Sequence, residues 1–262
     1  MSPRKEPNYL SSIHPSFLSP PPIRDEKKYH ALFKDVTNEK RIGEASPIYL
    51  RDPESPNLIK NLVLNPKIVI ILRDPVERAY SQYLLRMSNG MTYSFSEAIN
   101  LALDSGDNDF NGRVVNGGMY YEQVKRYIDI FGDENVIVVV FEEFIKDPQK
   151  IVQQVIDFLG VDAKAPETID LPHNLLTRPR NKLASSLLQN QTLRQIGRHT
   201  VGQSVGDIIV KKILGKKVSK PKMEQKDRAY LEKLYEENVI NLEKLLGRTF
   251  PWSVGTIKLN GI

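Results

Sequence analysis

A short polar stretch at residues 73–81 carries the residue types needed to bind a phosphate group. The β-branched run K-I-V-I-I-L at 67–72 predicts a parallel strand buried on both faces, and it leads directly into R-D-P-V-E-R-A-Y-S. Arg73 would then lie at the carboxyl end of a strand, where ligands bind in open α/β sheets. Arginine offers a rigid, permanently charged fork, and Ser81 adds a hydroxyl two turns into the next helix. The spacing therefore predicts an anion site.

The same stretch contains the signals that begin a helix. Asp74 fits the N-cap, Pro75 fits the first helical position, and Glu77 fits the third, which together make a capping box. Backbone N–H groups at the helix N-terminus would add to the anion site. The alternative interpretation is structural, because Arg73 could pair with Asp74 or Glu77 while Ser81 is a solvated helix residue.

The remaining pattern predicts an α/β fold with a parallel sheet. A second buried strand, N-V-I-V-V-V-F, is expected at 135–141. Before the first strand we expect a short helix at 31–40 and a strand at 41–50, broken at Pro47. Residues 105–117 predict a loop, and no strand is predicted after residue 165. Helices are expected at 75–87, 95–104, 119–131, 148–159, 183–214 and 224–246. This alternation is typical of one α/β domain covering 1–262.

Several segments, in order, resemble motifs of the sulfotransferases that use 3′-phosphoadenosine 5′-phosphosulfate (PAPS). The resemblance is to the carbohydrate-type branch, with the heparan sulfate enzymes and bacterial relatives. I-L-R-D-P-V-E-R-A-Y-S-Q-Y resembles the family's 3′-phosphate-binding motif, and P-R-K-E-P-N-Y-L its acidic catalytic loop. G-E-A-S-P-I-Y-L resembles its E-K-T/S-P-x-Y-F segment, F-G-D-E-N-V-I-V-V-V-F its helix–strand–helix, and L-L-G-R-T-F-P-W its C-terminal ending. The resemblance covers about residues 3–253.

This resemblance implies a fold and a set of functional residues. The fold would be a P-loop-NTPase-like three-layer α/β domain, with a central parallel sheet flanked by helices and a helical C-terminal part. Arg73 and Ser81 would bind the 3′-phosphate of PAPS, the sulfuryl donor. Glu6, in K-E-P-N-Y, would be the general base that deprotonates a hydroxyl or amine of the acceptor.

Three further residues are implied by the same resemblance. Arg178 and Arg180 would lie on a loop that closes over the nucleotide, and Tyr120 would line the substrate cleft. The acceptor would be a glycan or another small hydroxylated molecule. Ala45 stands where the carbohydrate-type enzymes often have a lysine, and this departure leaves the acceptor class open.

The sequence also departs from the family at a second phosphate-binding element. The family has a K-x-G-T-T-type loop ahead of the acidic segment, and this sequence contains no match to it. The expectation is an N-terminally truncated domain that lacks the first strand and binds PAPS weakly. The alternative is a non-catalytic remnant that keeps only the 3′-phosphate half-site. A nucleotide kinase is disfavoured because no Walker lysine is present.

The charge of the chain is unevenly distributed. The net charge is +5, but the segment from Arg178 to Arg228 holds thirteen basic and three acidic residues, so it carries +10 and the remainder −5. This basic segment, expected to be helical, favours an anionic nucleotide or glycan as partner, or else is a solvated face. Nucleic acid is disfavoured because 178–228 contains no aromatic residue and no recognition motif.

Composition excludes several other classes. The chain has no cysteine, so a disulfide scaffold and a thiolate nucleophile are excluded, and its four scattered histidines predict no metal site. No apolar run approaches the roughly 18 residues of a membrane span. These features favour a cytoplasmic protein without a membrane span.

Overall fold

Two parallel strands follow the pattern that the sequence predicts. The computed structural model describes residues 1–14, 21–88, 91–104, 112–169, 177–179, 215–217 and 221–255. Strand β1 (Ile68–Leu72) pairs in parallel with β2 (Val136–Val140), with Ile68 opposite Val136 and Leu72 opposite Val140. The predicted parallel pairing is therefore confirmed, and the carboxyl ends of both strands lie at the same edge.

Helices account for most of the remaining described structure. Three short 3₁₀ segments accompany them at Ala31–Phe33, Asn116–Gly118 and Asp133–Asn135. The α-helices are α1 (Glu26–His30), α2 (Ile48–Arg51), α3 (Ser55–Leu62), α4 (Pro75–Ser88), α5 (Phe95–Asp104), α6 (Gly112–Val115), α7 (Tyr120–Phe131), α8 (Phe141–Lys146), α9 (Pro148–Phe158) and α10 (Gln225–Leu246).

The core lies where the crossover helices meet α10. Parallel strands need a long connection, and here residues 73–135 supply it through α4, α5, α6 and α7. Apolar residues three or four positions apart give α7 and α10 one buried face each. The buried side chains of these two helices include Tyr120, Val124, Tyr127, Phe131, Leu231, Tyr235, Val239 and Leu242. An α/β fold is thus established.

One face of β1 is open. Ile70 and Leu72 are buried, whereas Val69 and Ile71 are 38% and 60% exposed. Successive side chains on a strand point to opposite faces, so this alternation means that only one face of β1 is covered. The prediction of burial on both faces is therefore wrong, because a continuous apolar run does not itself report what packs against it.

Short elements before β1 differ from the predictions. Residues 41–50 form no strand; Pro47 instead occupies the N-cap position of α2. The first helix begins after Asp25, whose side chain accepts a hydrogen bond from the backbone N–H of Lys28, and not at residue 31. The predicted loop at 105–117 contains α6 at its end. Helix α3 was not predicted at all.

The basic segment carries two strands that the sequence pattern did not predict. Strand β3 (Thr177–Pro179) pairs antiparallel with β4 (Gly215–Lys217), so the expectation of no strand after residue 165 is wrong. Three residues are too few to show a period in the sequence. The helix predicted at 183–214 lies outside the described residues. Within the described ranges, no helix has both the length and the apolar character of a membrane span.

Candidate functional site

The turn between β1 and α4 is built around the carboxylate of Asp74. Oδ1 of Asp74 accepts hydrogen bonds from the backbone N–H groups of Val76 at 2.8 Å and Glu77 at 3.1 Å. Oδ2 accepts from the backbone N–H and the hydroxyl of Ser253, at 3.0 and 3.1 Å. The predicted N-cap is confirmed, and it fixes the start of α4 next to Arg73.

In a capping box the residue at the third helical position would accept a hydrogen bond from the backbone N–H of the N-cap residue, but Glu77 does not do so here. The backbone N–H of Asp74 donates to Oε1 of Glu142 at 3.1 Å, and Glu77 is instead in an ion pair with Arg228. Two first-turn N–H groups are already bonded to Asp74, and Pro75 has none. The expectation that these amides add to an anion site is therefore wrong, because both already have a partner.

Arg73 is the cation at this turn. Its guanidinium lies 5.2 Å from the ring centre of Phe141, and Nη2 is 3.9 Å from Oε2 of Glu77. About 30% of the side chain is exposed, and a loose ion pair at that exposure is worth little. Asp74 is occupied by the cap and by Ser253. Of the two carboxylates that could have neutralised Arg73, only Glu77 is in an ion pair with it, and that contact is long.

Ser81 lies two turns into α4. Glu77 and Ser81 are four positions apart, so they follow one another along one side of the helix; Arg73 precedes the first helical residue, Pro75, and its guanidinium reaches towards Glu77. Ser81 is half-buried, and its hydroxyl makes no hydrogen bond to another residue in the described part of the chain. A guanidinium and a hydroxyl are therefore available along one surface at the end of β1.

Tyr120, at the start of α7, is hydrogen-bonded to the backbone of this turn. Its side chain is only 2% exposed, and its hydroxyl donates to the backbone carbonyl of Arg73 at 3.0 Å. Burial raises the pKa of Tyr120, so the phenol remains a neutral donor. Its ring lies 5.9 Å from that of Trp252. This placement suits a residue that fixes the Arg73 backbone; contact with a substrate stays a prediction.

Residues near the C-terminus complete the turn. The indole Nε1 of Trp252 donates to Oε2 of Glu142 at 3.0 Å, and Arg248 pairs with Glu143. Trp252 is buried and stacks on Phe250 at 4.1 Å. The sequence pattern predicted no contact for Ser253, nor for Glu142 and Glu143. Their position directly after β2 was the available signal, because parallel strands end at the same edge.

The acidic loop holds Glu6 in an unusual backbone conformation. Glu6 and Asn8 both have φ of +52°, a left-handed conformation that costs a residue other than glycine about 1–3 kcal/mol. The Glu6 side chain is half-buried. Burial raises the pKa of its carboxyl, and the neighbouring Lys5 charge opposes this by lowering it. A carboxyl with a raised pKa is a better proton acceptor once it is ionised.

The loop is anchored and does not fray. The backbone N–H of Asn8 donates to Oγ of Ser46, and that of Leu10 donates to the Tyr49 hydroxyl, both at 3.0 Å. Further along, the Ser11 hydroxyl donates to the buried Asp52 carboxylate at 2.7 Å. Polar groups of this N-terminal segment therefore have buried or half-buried partners.

Helix α7 connects the acidic loop to the Arg73 turn. At its start, Tyr120 bonds to the Arg73 carbonyl, and two turns later the Tyr127 hydroxyl donates to the Tyr49 carbonyl at 2.8 Å. Tyr49 in turn accepts from Leu10. A rise of 1.5 Å per residue separates the two tyrosines by about 10 Å along the helix. The candidate base and the candidate anion site are thus held by one rigid element.

The two predicted arginines of the basic segment are only partly described. Arg178 lies in β3, which runs beside α4, and its side chain is not described. Arg180 lies outside the described residues. Within the described ranges, no group of three or more His, Asp or Glu side chains could hold a metal ion.

Comparison with known proteins identifies the family. The model of the sulfotransferase domain matches residues 27–244. The chain belongs to the sulfotransferase domain family. Sulfotransferases are enzymes. The Arg73 turn lies inside the matched region, and Glu6 lies 21 positions before its first residue.

Similar proteins agree with this assignment. The chain is 26% identical over 217 residues to the human bifunctional heparan sulfate N-deacetylase/N-sulfotransferase 1, covering 79% of this chain and 22% of the relative. It is 27% identical over 133 residues to the mouse heparan sulfate glucosamine 3-O-sulfotransferase 6, covering 51% and 39%. The sulfotransferase domain thus spans about a fifth of the length of the first of these relatives.

A solved structure also shares the fold. The crystal structure of a sulfotransferase from Alicyclobacillus acidocaldarius superposes with a TM-score of 0.66 at 27% identity, covering 95% of this chain and 85% of that one. The α/β sulfotransferase fold therefore extends over most of the chain.

Proposed function

We propose that this sulfotransferase moves a sulfuryl group from PAPS to a hydroxyl or amine of a carbohydrate acceptor. The observation that carries the proposal is the Arg73 turn. There an arginine side chain that is about 30% exposed and a hydroxyl with no hydrogen-bond partner among the described residues lie near the start of α4, at the carboxyl end of a parallel strand. The P-loop-like architecture belongs to the same proposal, since ligands of such folds bind at this sheet edge.

Arg73 and Ser81 bind the 3′-phosphate. Phosphate needs hydrogen-bond donors and positive charge, and both side chains supply donors without a strong competitor among the described residues. Among the described residues, Glu77 is the carboxylate in an ion pair with Arg73, and Arg228 holds it in a shorter ion pair. The donor set therefore fits a phosphate, although the first-turn amides of α4 are already used.

Glu6 takes the proton from the acceptor. PAPS supplies the sulfuryl group, and the task of the protein is to position the acceptor and receive its proton. Partial burial and the raised pKa of Glu6 support this role, because both favour proton uptake once the carboxyl is ionised. The anchored loop keeps the carboxylate in place.

Arg178 and Arg180 help to enclose the nucleotide. The position of β3 beside α4 brings the backbone of Arg178 to the helix that carries Ser81. The basic segment to which both belong favours an anionic ligand. The acceptor class is proposed from the heparan sulfate enzymes among the relatives, with Ala45 as the position where the acceptor contact differs.

Calorimetric titration with 3′-phosphoadenosine 5′-phosphate tests the anion site. Arg73→Ala is expected to weaken binding about ten- to hundredfold, because a charge-assisted hydrogen bond contributes about 1.5–3 kcal/mol. Arg73→Lys is expected to recover part of the loss, since it restores the charge but not the fork.

Arg41→Ala is the matched control for this titration. Arg41 is an exposed arginine whose Nε donates to the carbonyl of Leu159. Its loss should leave nucleotide affinity unchanged. Tight binding that survives Arg73→Ala would contradict the assignment of the 3′-phosphate site. Transfer of radiolabelled sulfate to a panel of glycans, with Glu6→Gln as the inactive reference, then tests the catalytic half.

A further inference from the structure

A hydrogen-bonded cluster around Glu44 lies behind the acidic loop. The carboxylate of Glu44 accepts from the Tyr49 hydroxyl at 2.5 Å and from the Ser46 hydroxyl at 2.8 Å. The Tyr29 hydroxyl is a third hydrogen-bonding partner. Both carboxylate oxygens are therefore engaged, so Glu44 is suited to hold hydroxyls and not to accept a proton from a substrate.

Each of these three partners also touches the acidic loop. The Ser46 oxygen accepts from the backbone N–H of residue 8, and the Tyr49 oxygen accepts from that of residue 10. The ring of Tyr29 stacks on Tyr9 with 4.1 Å between centres. Three consecutive loop residues are thus held by three side chains that all bond to Glu44.

The carboxylate determines how these hydroxyls can act. A hydroxyl carries one proton, and in both Ser46 and Tyr49 that proton is directed to Glu44. The lone pairs of each oxygen then remain to accept from the loop amides. If Glu44 could not accept, each hydroxyl could rotate its proton to another partner, and the loop amides would lose oriented acceptors.

The backbone of the loop requires such a hold. Glu6 and Asn8 are both in the left-handed region at φ of +52°, and neither is glycine. Conformations of this kind persist only where the surroundings over-determine them. The Ser46 bond reaches Asn8 itself, two residues from the Glu6 carboxylate.

We infer that Glu44 is a positioning residue that fixes Glu6 through Ser46, Tyr49 and Tyr29. The inference rests on the proposed role of Glu6 as the general base. Glu44 had no functional role in the sequence analysis.

Glu44→Gln tests the inference with two readouts. In glutamine an NH2 group replaces one of the two carboxylate oxygens, so either Ser46 or Tyr49 loses its acceptor and the loop amide bonded to it loses an oriented partner. We expect kcat for sulfuryl transfer to fall about tenfold or more, with the KM for PAPS and the affinity for 3′-phosphoadenosine 5′-phosphate changed less than twofold. Amide hydrogen exchange across 6–12 should become about fivefold faster or more. Ser46→Ala should reproduce both effects.

Glu54→Gln is the matched control, because Glu54 is an exposed glutamate whose side chain makes no capping bond. The inference would be overturned if Glu44→Gln kept the wild-type kcat and the wild-type exchange rates while Glu6→Gln was inactive. That result would leave the proposed function intact. Full activity of Glu6→Gln would instead overturn the base assignment and the inference together. If Glu44 acts only through Glu6, the double variant will be no slower than Glu6→Gln alone.

Discussion

Asp74 shows how much one carboxylate can organise at the scale of a single residue. It accepts from two amides of α4 and from both donors of Ser253. The hydrogen bonds to the two α4 amides were predictable from the D-P dipeptide, because an N-cap residue bonds to amides only two or three positions away. The contact with Ser253 spans 179 positions, and no spacing rule reports it. The same reason explains why Glu142 and Arg228 were missed.

A residue-scale prediction concerns the pH dependence of turnover. Burial raises the pKa of Glu6 and the Lys5 charge lowers it. A base works only when ionised, so kcat/KM falls as the pH drops through this pKa. Lys5→Met removes the charge that favours the carboxylate, so the pKa rises further and the acid limb of the profile moves to higher pH.

Steady-state kinetics across pH measures this shift. Lys150→Met, an exposed lysine on α9, should leave the limb in place. The shift should shrink as salt is added, because an exposed charge is screened. A limb that stays put or moves to lower pH in Lys5→Met would show that Glu6 does not govern it.

Long helices and both parallel strands were predictable at the scale of elements, whereas short elements were not. Helices α4, α5, α7, α9 and α10 begin and end within two residues of the predictions, because an apolar period over three or more turns is a strong signal. Helix α2 and strands β3 and β4 have three or four residues, too few to show a period. Tertiary contacts decide such segments.

Gly118 gives an element-scale prediction about packing. A Cβ at this position would lie 3.0 Å from the ring of Tyr235 on α10 and 3.1 Å from Cβ of Pro75 on α4. Gly118→Ala should therefore lower the free energy of unfolding by about 1–3 kcal/mol, the usual cost of overpacking. Urea denaturation measures it.

Gly43→Ala provides the comparison for this experiment. The nearest atom to a Cβ at Gly43 is Sδ of Met1 at 3.7 Å, an ordinary contact. Its unfolding midpoint should change little. Equal midpoints for the two alanine variants would mean that α4, α10 and the 3₁₀ segment Asn116–Gly118 do not approach as closely as described.

At the scale of the whole molecule, the site is assembled from three distant parts of the chain. The Arg73 turn, the start of α8 and residues 252–253 meet at one edge of the sheet. The family resemblance predicted the order of these segments along the chain, and of the three it gave a role only to the one that holds Arg73. It could not predict their pairwise contacts, which depend on packing geometry and not on motif identity.

Trp252→Phe tests the link between the C-terminal residues and the turn. Phenylalanine keeps an aromatic ring to stack on Phe250 but lacks the Nε1 donor to Glu142. The free energy of unfolding should fall by about 1–3 kcal/mol, because a half-buried carboxylate oxygen loses its donor. Affinity for 3′-phosphoadenosine 5′-phosphate should weaken with it.

Tyr230→Phe is the control for this substitution. Tyr230 is 48% exposed on α10, and exposed substitutions of this kind change stability by less than about 0.5 kcal/mol. A Trp252→Phe protein with unchanged stability and affinity would separate the C-terminal residues from the site.

The bond between Asp74 and Ser253 has a consequence for how the protein is made. Ribosomes add about 5–20 residues per second, so roughly ten to forty seconds pass between the synthesis of the turn and that of its last partner. During that interval Oδ2 of Asp74 lacks its native donor, because Ser253 has not yet been added to the chain. The turn that carries Arg73 is therefore completed only after residue 253 has been added, well after the rest of its hydrogen bonds can form.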